Sequence, residues 1–209
     1  MQIEMQIEAS ALAVERGGRI IFTNIGFRLG AGEALLVTGP NGAGKSSLLR
    51  AIAGLLPLAQ GRIAIAPQSD SRLSELCHYV GHADALKPSL TIYENLAFWA
   101  AFLASGTAAG GETARIESAL AQLGLARIAD LPAAYLSAGQ KRRAALARLL
   151  AVHRPIWLLD EPATALDAAS QKVLGTMMMG HLEAGGMIIA ATHAPLALPA
   201  RELALGGAA

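Results

Sequence analysis

Residues Gly39-Pro40-Asn41-Gly42-Ala43-Gly44-Lys45-Ser46 satisfy G-x-x-x-x-G-K-[ST], and this constrains the fold more than any other stretch of the chain. Glycines at 39, 42 and 44 let the backbone curl until successive N–H groups point into one concavity, a nest for an anion. Lys45 adds a point charge for terminal phosphates, and the Ser46 hydroxyl is placed to hold Mg²⁺. The flanks agree with this reading. Ala34-Leu35-Leu36-Val37 is an apolar run of buried-strand length. Ser47-Leu48-Leu49-Arg50-Ala51-Ile52-Ala53 reads as a helix whose positive N-terminal dipole faces the loop. Together they predict a strand, a phosphate loop and a helix.

The chain has 209 residues, enough for one large domain or a core with a subdomain. It is 53% hydrophobic but only 4% aromatic, so its core must be built mainly from Ala, Leu, Ile and Val. No stretch reaches the roughly 20 apolar residues of a membrane span. Leu96 to Ala104 comes nearest; it fits either a buried helix or a surface covered by a partner. Lys and Arg number 17 against 16 Asp and Glu, a balance that gives no reason to expect nucleic acid as a partner. One cysteine, Cys77, excludes an internal disulfide and reads as a core thiol. Met1-Gln2-Ile3-Glu4 lacks the charged start and apolar centre of a secretory signal, so a cytoplasmic chain is expected.

The N-terminal ~35 residues read as a small antiparallel sheet. Ile3, Met5 and Ile7 alternate, Ala11 to Val14 and Arg19 to Phe22 are short strands, and Gly17-Gly18 and Gly30-Ala31-Gly32 are turns. Pro57 and Gly61 are expected to close the first helix and turn the chain. Leu76 to Val80 is a short strand. From about residue 85 to 150 the pattern is helical: a helix opening at Tyr93-Glu94-Asn95-Leu96, a small-residue linker from Gly106 to Gly111, and a helix over Ala114 to Leu123 stopped by Gly124. Strand patterns then return. Pro155-Ile156-Trp157-Leu158-Leu159-Asp160 and Met187-Ile188-Ile189-Ala190-Ala191-Thr192 are continuous apolar runs, as in parallel strands buried on both faces. Met177-Met178-Met179, on a helix between Ala168 and Leu182, reads as core filler. Strand, helix and strand in alternation predict a parallel sheet with crossover helices. The resulting boundaries are an antiparallel β subdomain over 1–35, an α/β core over 36–84 and 151–209, and a helical subdomain over 85–150.

Ligands bind beyond the carboxyl ends of the strands in open parallel sheets, so Asp160 and Glu161 should face the same site as Lys45. Asp160 is the candidate Mg²⁺ ligand and Glu161 the candidate general base. The plainer alternative is a pair of solvated acids opening a loop. Ser137, with Gln140 three residues on, fits a capping box ahead of a helix over Lys141 to Leu150. Ala138 and Gly139 leave that helix start open to an anion. These residues alone do not separate the cap from the anion site.

Taken together, the motifs resemble those of the ABC ATPases. Gly39 to Ser47 corresponds to Walker A, Leu136 to Gln140 to the signature, and Leu158-Leu159-Asp160-Glu161-Pro162 to Walker B. Ala165-Leu166-Asp167 corresponds to the D-loop and His193 to the switch histidine. The resemblance covers nearly the whole chain. It implies a P-loop NTPase core, an N-terminal antiparallel β subdomain and an inserted helical subdomain. It also implies Mg-ATP as ligand and a homodimer in the ATP-bound state. There Ser137, Gly139, Gln140 and Asp167 would meet nucleotide held by the partner's Walker A, with His193 orienting the γ-phosphate. Further expectations are integral membrane subunits not encoded in this chain and a peripheral place on the cytoplasmic face of the bacterial inner membrane. Within the family the chain is most similar to the ATP-binding subunits of haem exporters in cytochrome c maturation. That likeness rests on Ala138 in the signature, Tyr79-Val80-Gly81-His82 followed by Leu86-Lys87-Pro88-Ser89-Leu90-Thr91 and Glu94-Asn95-Leu96, and the short tail after His193. An exporter of other cargo, a non-transport ABC ATPase of DNA repair or translation and a non-hydrolysing scaffold are the competing readings.

There are two departures from the family pattern. His82 stands where the Q-loop glutamine is usual. It can donate or accept there and change charge near neutral pH, or it can be a plain surface histidine. Secondly, Glu15-Arg16-Gly17-Gly18-Arg19 contains no aromatic residue to stack on adenine. Arg16 is left to cover the base by a cation–π contact, with Phe22 expected to face the core. His78, His153 and His181 read as structural or exposed. The missing aromatic predicts weak base selection: nucleotide titrations should favour ATP over GTP by less than ~100-fold, and a larger preference would show that another residue grips the base.

Overall fold

The computed structural model describes residues 5–67, 72–103, 111–193, 196 and 198–206. Met1 to Glu4, where the alternating Ile3–Ile7 pattern begins, and most of the small-residue linker after Gly106 lie outside them. Two compact units are formed: Met1–Tyr79 with Pro155–Glu161 and Met178–Ala209, and Val80–Arg154 with Pro162–Met177.

The first unit contains two sheets. Strands β1 (Gln6–Arg16), β2 (Arg19–Gly30) and β4 (Gln60–Ala66) form an antiparallel sheet in the order β2-β1-β4. Gly17 and Gly18 both take positive φ and turn the β1–β2 hairpin, as the sequence indicates. β2 runs eight residues beyond the expected Phe22. The chain also does not turn at Gly61. The first helix ends at Ile52, and Gly61 sits inside β4 at φ 86, beside a break in register between Ser10 and Ala13 of β1. A Cβ at Gly61 would run into the backbone of Ser10 and Ala11, so this glycine is used for close approach at an irregular pairing.

The second sheet has the order β5-β6-β7-β3-β8, from β5 (Cys77–Val80), β6 (Ile156–Asp160), β7 (Met187–Ala191), β3 (Ala34–Thr38) and β8 (Arg201–Ala204). β6 with β7, β7 with β3 and β3 with β8 pair in parallel. Every residue of β6 and β7 is buried, which is why their sequences run apolar without alternation. Helix α1 (Lys45–Ile52) buries Leu48, Leu49 and Ile52 in one cluster with Ile7, Leu12 and Val14 of β1, Leu35 and Val37 of β3, and Leu158 and Ile189. The one-turn helix α2 (Leu73–Leu76) leads into β5, and Cys77 and Phe22 belong to the same core. β8 escapes sequence reading because Arg201-Glu202-Leu203-Ala204 is mostly exposed and has no apolar pattern.

The second unit is helical. α3 (Ile92–Leu103), α4 (Glu112–Gln122) and α5 (Ala138–Ala151) pack on one another. α3 is buried along one face and exposed along another: Leu96 and Ala100 are buried, while Phe98 and Phe102 are 56% and 68% exposed. α6 (Ala168–Glu183) runs from the second unit into the first after Met177, and Met177 and Met178 are both buried. Asn95, 2% exposed, fastens the approach to α3. Its Nδ2 donates to the carbonyls of Lys87 (3.2 Å), Leu90 (3.2 Å) and Thr91 (2.8 Å), and its Oδ1 accepts from the Lys87 N–H at 2.8 Å. Deleting that amide strands buried backbone groups, at about 1–3 kcal/mol. Asn95→Ala should therefore lower Tm by about 4–8 °C in calorimetry, and an unchanged Tm would show that the loop re-pairs without it.

Candidate nucleotide site

The phosphate loop owes its shape to what surrounds it. Gly39 has φ 135, and a Cβ there would strike the Leu205 carbonyl just past β8. Gly44 has φ 98, and a Cβ there would fall 2.6 Å from Ile21 and 3.0 Å from Phe22 of β2. Two of the loop's glycines thus allow neighbouring strands to approach it closely. Gly44 is also the N-cap of α1 and supplies no side-chain cap, which leaves the N–H groups of the first turn for an anion. Phe22 is buried, as the sequence indicates, and Arg16 is exposed at the end of β1.

Lys45 is 8% exposed. Its ammonium donates to the Gly39 carbonyl at 2.8 Å and the Pro40 carbonyl at 3.0 Å, and lies 3.0 Å from His193 Nε2. An ammonium only donates, so Nε2 is the acceptor and the imidazole proton sits on Nδ1. The same Nε2 is 3.8 Å from Glu161 Oε1. Cation, imidazole and carboxylate thus meet at the ends of α1, β7 and β6. Glu161 has φ 49, and its N–H donates to the Ala191 carbonyl at 2.8 Å. The strained backbone persists because the β6–β7 ladder holds it.

Asp160 ends β6 as a buried carboxylate, and Ser46 follows Lys45 in the first turn of α1. The pair is a hard-oxygen donor set that suits Mg²⁺, which keeps most of its ligands as water and phosphate. Sequence reading missed the support behind Asp160. Tyr79 of β5 interacts with it through hydrogen bonding and charge, and the Tyr79 hydroxyl accepts from Arg50 Nε at 3.2 Å. Burial pushes the Tyr79 phenol up, against the pull of Arg50. A signal was present: Arg50 lies in the last turn of the helix after the phosphate loop. The contact to residue 79 is not local.

Ser137, Gly139, Gln140, His82 and Asp167 belong to the second unit. Ser137 is the N-cap of α5. Its hydroxyl accepts from the Gln140 N–H at 3.3 Å, and its own N–H donates to Gln140 Oε1 at 2.8 Å, a complete capping box. A Cβ at Gly139 would lie 3.0 Å from the Ala165 carbonyl, so this glycine admits the loop before α6. Asp167 caps α6, its Oδ1 accepting from the Ser170 N–H at 2.8 Å. Hydrogen bonds from the Ser170 side chain and backbone hold its carboxyl below the usual range. His82 is exposed. His78 and His181 are buried, the latter stacked on Trp157 with centroids 3.9 Å apart, and His153 is exposed.

A profile of the ABC transporter family matches residues 22–164. Cytochrome c biogenesis ATP-binding export protein CcmA of Rhodopseudomonas palustris strain BisB5 is 53% identical over 206 residues, covering 98% of this chain and 100% of that protein. The protein of the same name from strain BisB18 is 55% identical over the same coverage. Among solved structures, an ATP-binding cassette captured as a dimer in a post-hydrolysis state with ADP and Pi is 28% identical. It superposes with a TM-score of 0.75 over 90% of this chain and 88% of its own. These full-length likenesses and the phosphate-loop architecture agree: the chain belongs to the ABC transporter family, in its branch of cytochrome c biogenesis ATP-binding export proteins.

Proposed function

We propose that this chain is the ATP-hydrolysing subunit of a membrane transporter that serves haem delivery in c-type cytochrome biogenesis. The observation that carries the reading is the likeness, at more than half identity and full length, to proteins named for that process. The cluster of Lys45, His193 and Glu161 gives it a chemistry.

In this reading Gly39 to Ser47 cradles the phosphates with backbone N–H groups, and Lys45 exchanges its carbonyl partners for phosphate oxygens. Ser46 and Asp160 would hold Mg²⁺, which would supply positive charge against the phosphates. Glu161 takes a proton from the attacking water as its oxygen closes on the γ-phosphorus, and ADP and Pi leave. His193, already within reach of Lys45 and Glu161, orients the γ-phosphate and the water. Ser137, Gly139, Gln140 and Asp167 meet the nucleotide held by a second copy, so ATP joins a two-fold homodimer. His82 links the site to the helical subdomain over 85–150. That subdomain is distinct from the antiparallel β part over 1–35, to which β4 is added from within 36–84, and from the core over 36–84 and 151–209. No helix among the described residues is long and apolar enough to cross a membrane. In this reading integral membrane partners supply the path for cargo, and this subunit sits on the cytoplasmic face of the inner membrane. The face of α3 carrying Phe98 and Phe102, stacked with centroids 6.1 Å apart, meets those partners.

Glu161→Gln should keep ATP binding but lower kcat by about 10²–10⁴-fold; near-normal turnover would remove Glu161 from the base role. The biological assignment is tested by haem staining of c-type cytochromes in cells whose chromosomal copy carries Lys45→Ala, with apocytochrome levels as control. Loss of covalent haem while the apoproteins persist is the expected result. Normal staining would leave an ABC ATPase with another cargo.

A further inference from the structure

We infer that Arg142 is a positioning residue that holds two loops of the ATPase machinery to the signature helix through one guanidinium; this rests on the ATPase reading above. Arg142 lies in the second turn of α5, five residues beyond the Ser137 cap, and is 3% exposed. Its Nε donates to the Pro162 carbonyl at 3.2 Å. Its Nη1 donates to the Gly81 carbonyl at 2.8 Å and faces Asp84 Oδ1 at 3.4 Å. Pro162 directly follows Glu161 in the chain, and Gly81 directly precedes His82. One cation therefore fixes the backbone next to the general base, the backbone next to the Q-loop histidine, and the helix that begins with Ser137 and Gly139. At the first turn of the same helix, the absent Cβ of Gly139 admits the Ala165 carbonyl, so the loop after Pro162 also packs closely on α5 there.

The chemistry calls for arginine. A buried cation needs several acceptors at once, and the guanidinium presents five donors in a rigid planar fork that can serve acceptors in different directions. A lysine ammonium puts all its donors on one atom and cannot reach Pro162 and Gly81 in the same way. A residue that only filled space there would be aliphatic, like the buried Ala144, Ala145 and Leu146 beside it. The other arginines of α5 have different tasks: Arg143 Nη1 donates to the Leu123 carbonyl at 2.9 Å, and Arg148 lies 4.8 Å over the Trp99 ring. Arg142 binds both of the loops beside His82 and Glu161.

Hydrogen exchange on the full-length chain without nucleotide reads the linkage independently of ATP turnover. Arg142→Lys and Arg142→Met should each speed exchange about tenfold in peptides covering 80–86 and 162–168 and leave 36–50 as in wild type. Asp84→Asn, which keeps both carbonyl contacts, should affect only 80–86, by about two- to threefold. In turnover assays Arg142→Lys should lower kcat about tenfold, with the Kd for a fluorescent ATP analogue within about twofold of wild type. Wild-type exchange in both segments of Arg142→Lys would overturn the inference, as would acceleration spread evenly over the whole chain. A wild-type protein that binds but does not turn over ATP would count against the ATPase reading and leave the exchange result standing.

Discussion

Lys45 is almost removed from water, and a cation placed there needs an acceptor for each of its protons. Gly39 and Pro40 supply two carbonyls from the loop itself, and His193 supplies a ring nitrogen from the far end of β7. That requirement ties the loop after β3 to the residues after β7. Because β6 lies on the other side of β7, Glu161 comes within 3.8 Å of the same imidazole. Parallel pairing brings the ends of three strands to one edge, and the needs of a buried ammonium decide which side chains meet there.

The two units meet their polar requirements in different ways. In the first, buried strands satisfy their backbone in a ladder, and the charged groups lie just past its end. In the second, single buried side chains do the work of a ladder for irregular backbone. Asn95 ties together the segment from Lys87 to Thr91, and Arg142 ties Gly81 and Pro162 to α5. Such groups are strongly held when every partner is present, and removing one leaves several backbone groups stranded.

Much of this was legible in the sequence, because some signals are local. The phosphate loop, the apolar runs of β6 and β7, the β1–β2 hairpin and the capping box at Ser137 are each written within a dozen residues. What the sequence hid depends on distant contacts. Gly61 reads as a turn until its pairing with β1 is known, when it becomes a glycine under the backbone of Ala11. β8 is an exposed edge strand with no apolar alternation to mark it. Arg142 looks like any basic residue on a helix, since its acceptors lie 61 and 20 residues away. Tyr79 and Arg50 are similar, 29 residues apart and joined behind Asp160.

β3 is flanked by β7 on one side and β8 on the other, and both come from the last quarter of the chain. The strand that delivers the phosphate loop is therefore made well before its neighbours and pairs only once β7 and β8 have also left the ribosome. Until then Leu35 and Val37 have no sheet to join, and Lys45 lacks its imidazole partner. Pairing over such separations makes folding slow and leaves apolar strand edges open in the meantime. A chain that has not yet made β7 cannot bring His193 to Lys45, so the cation site is completed only with that pairing.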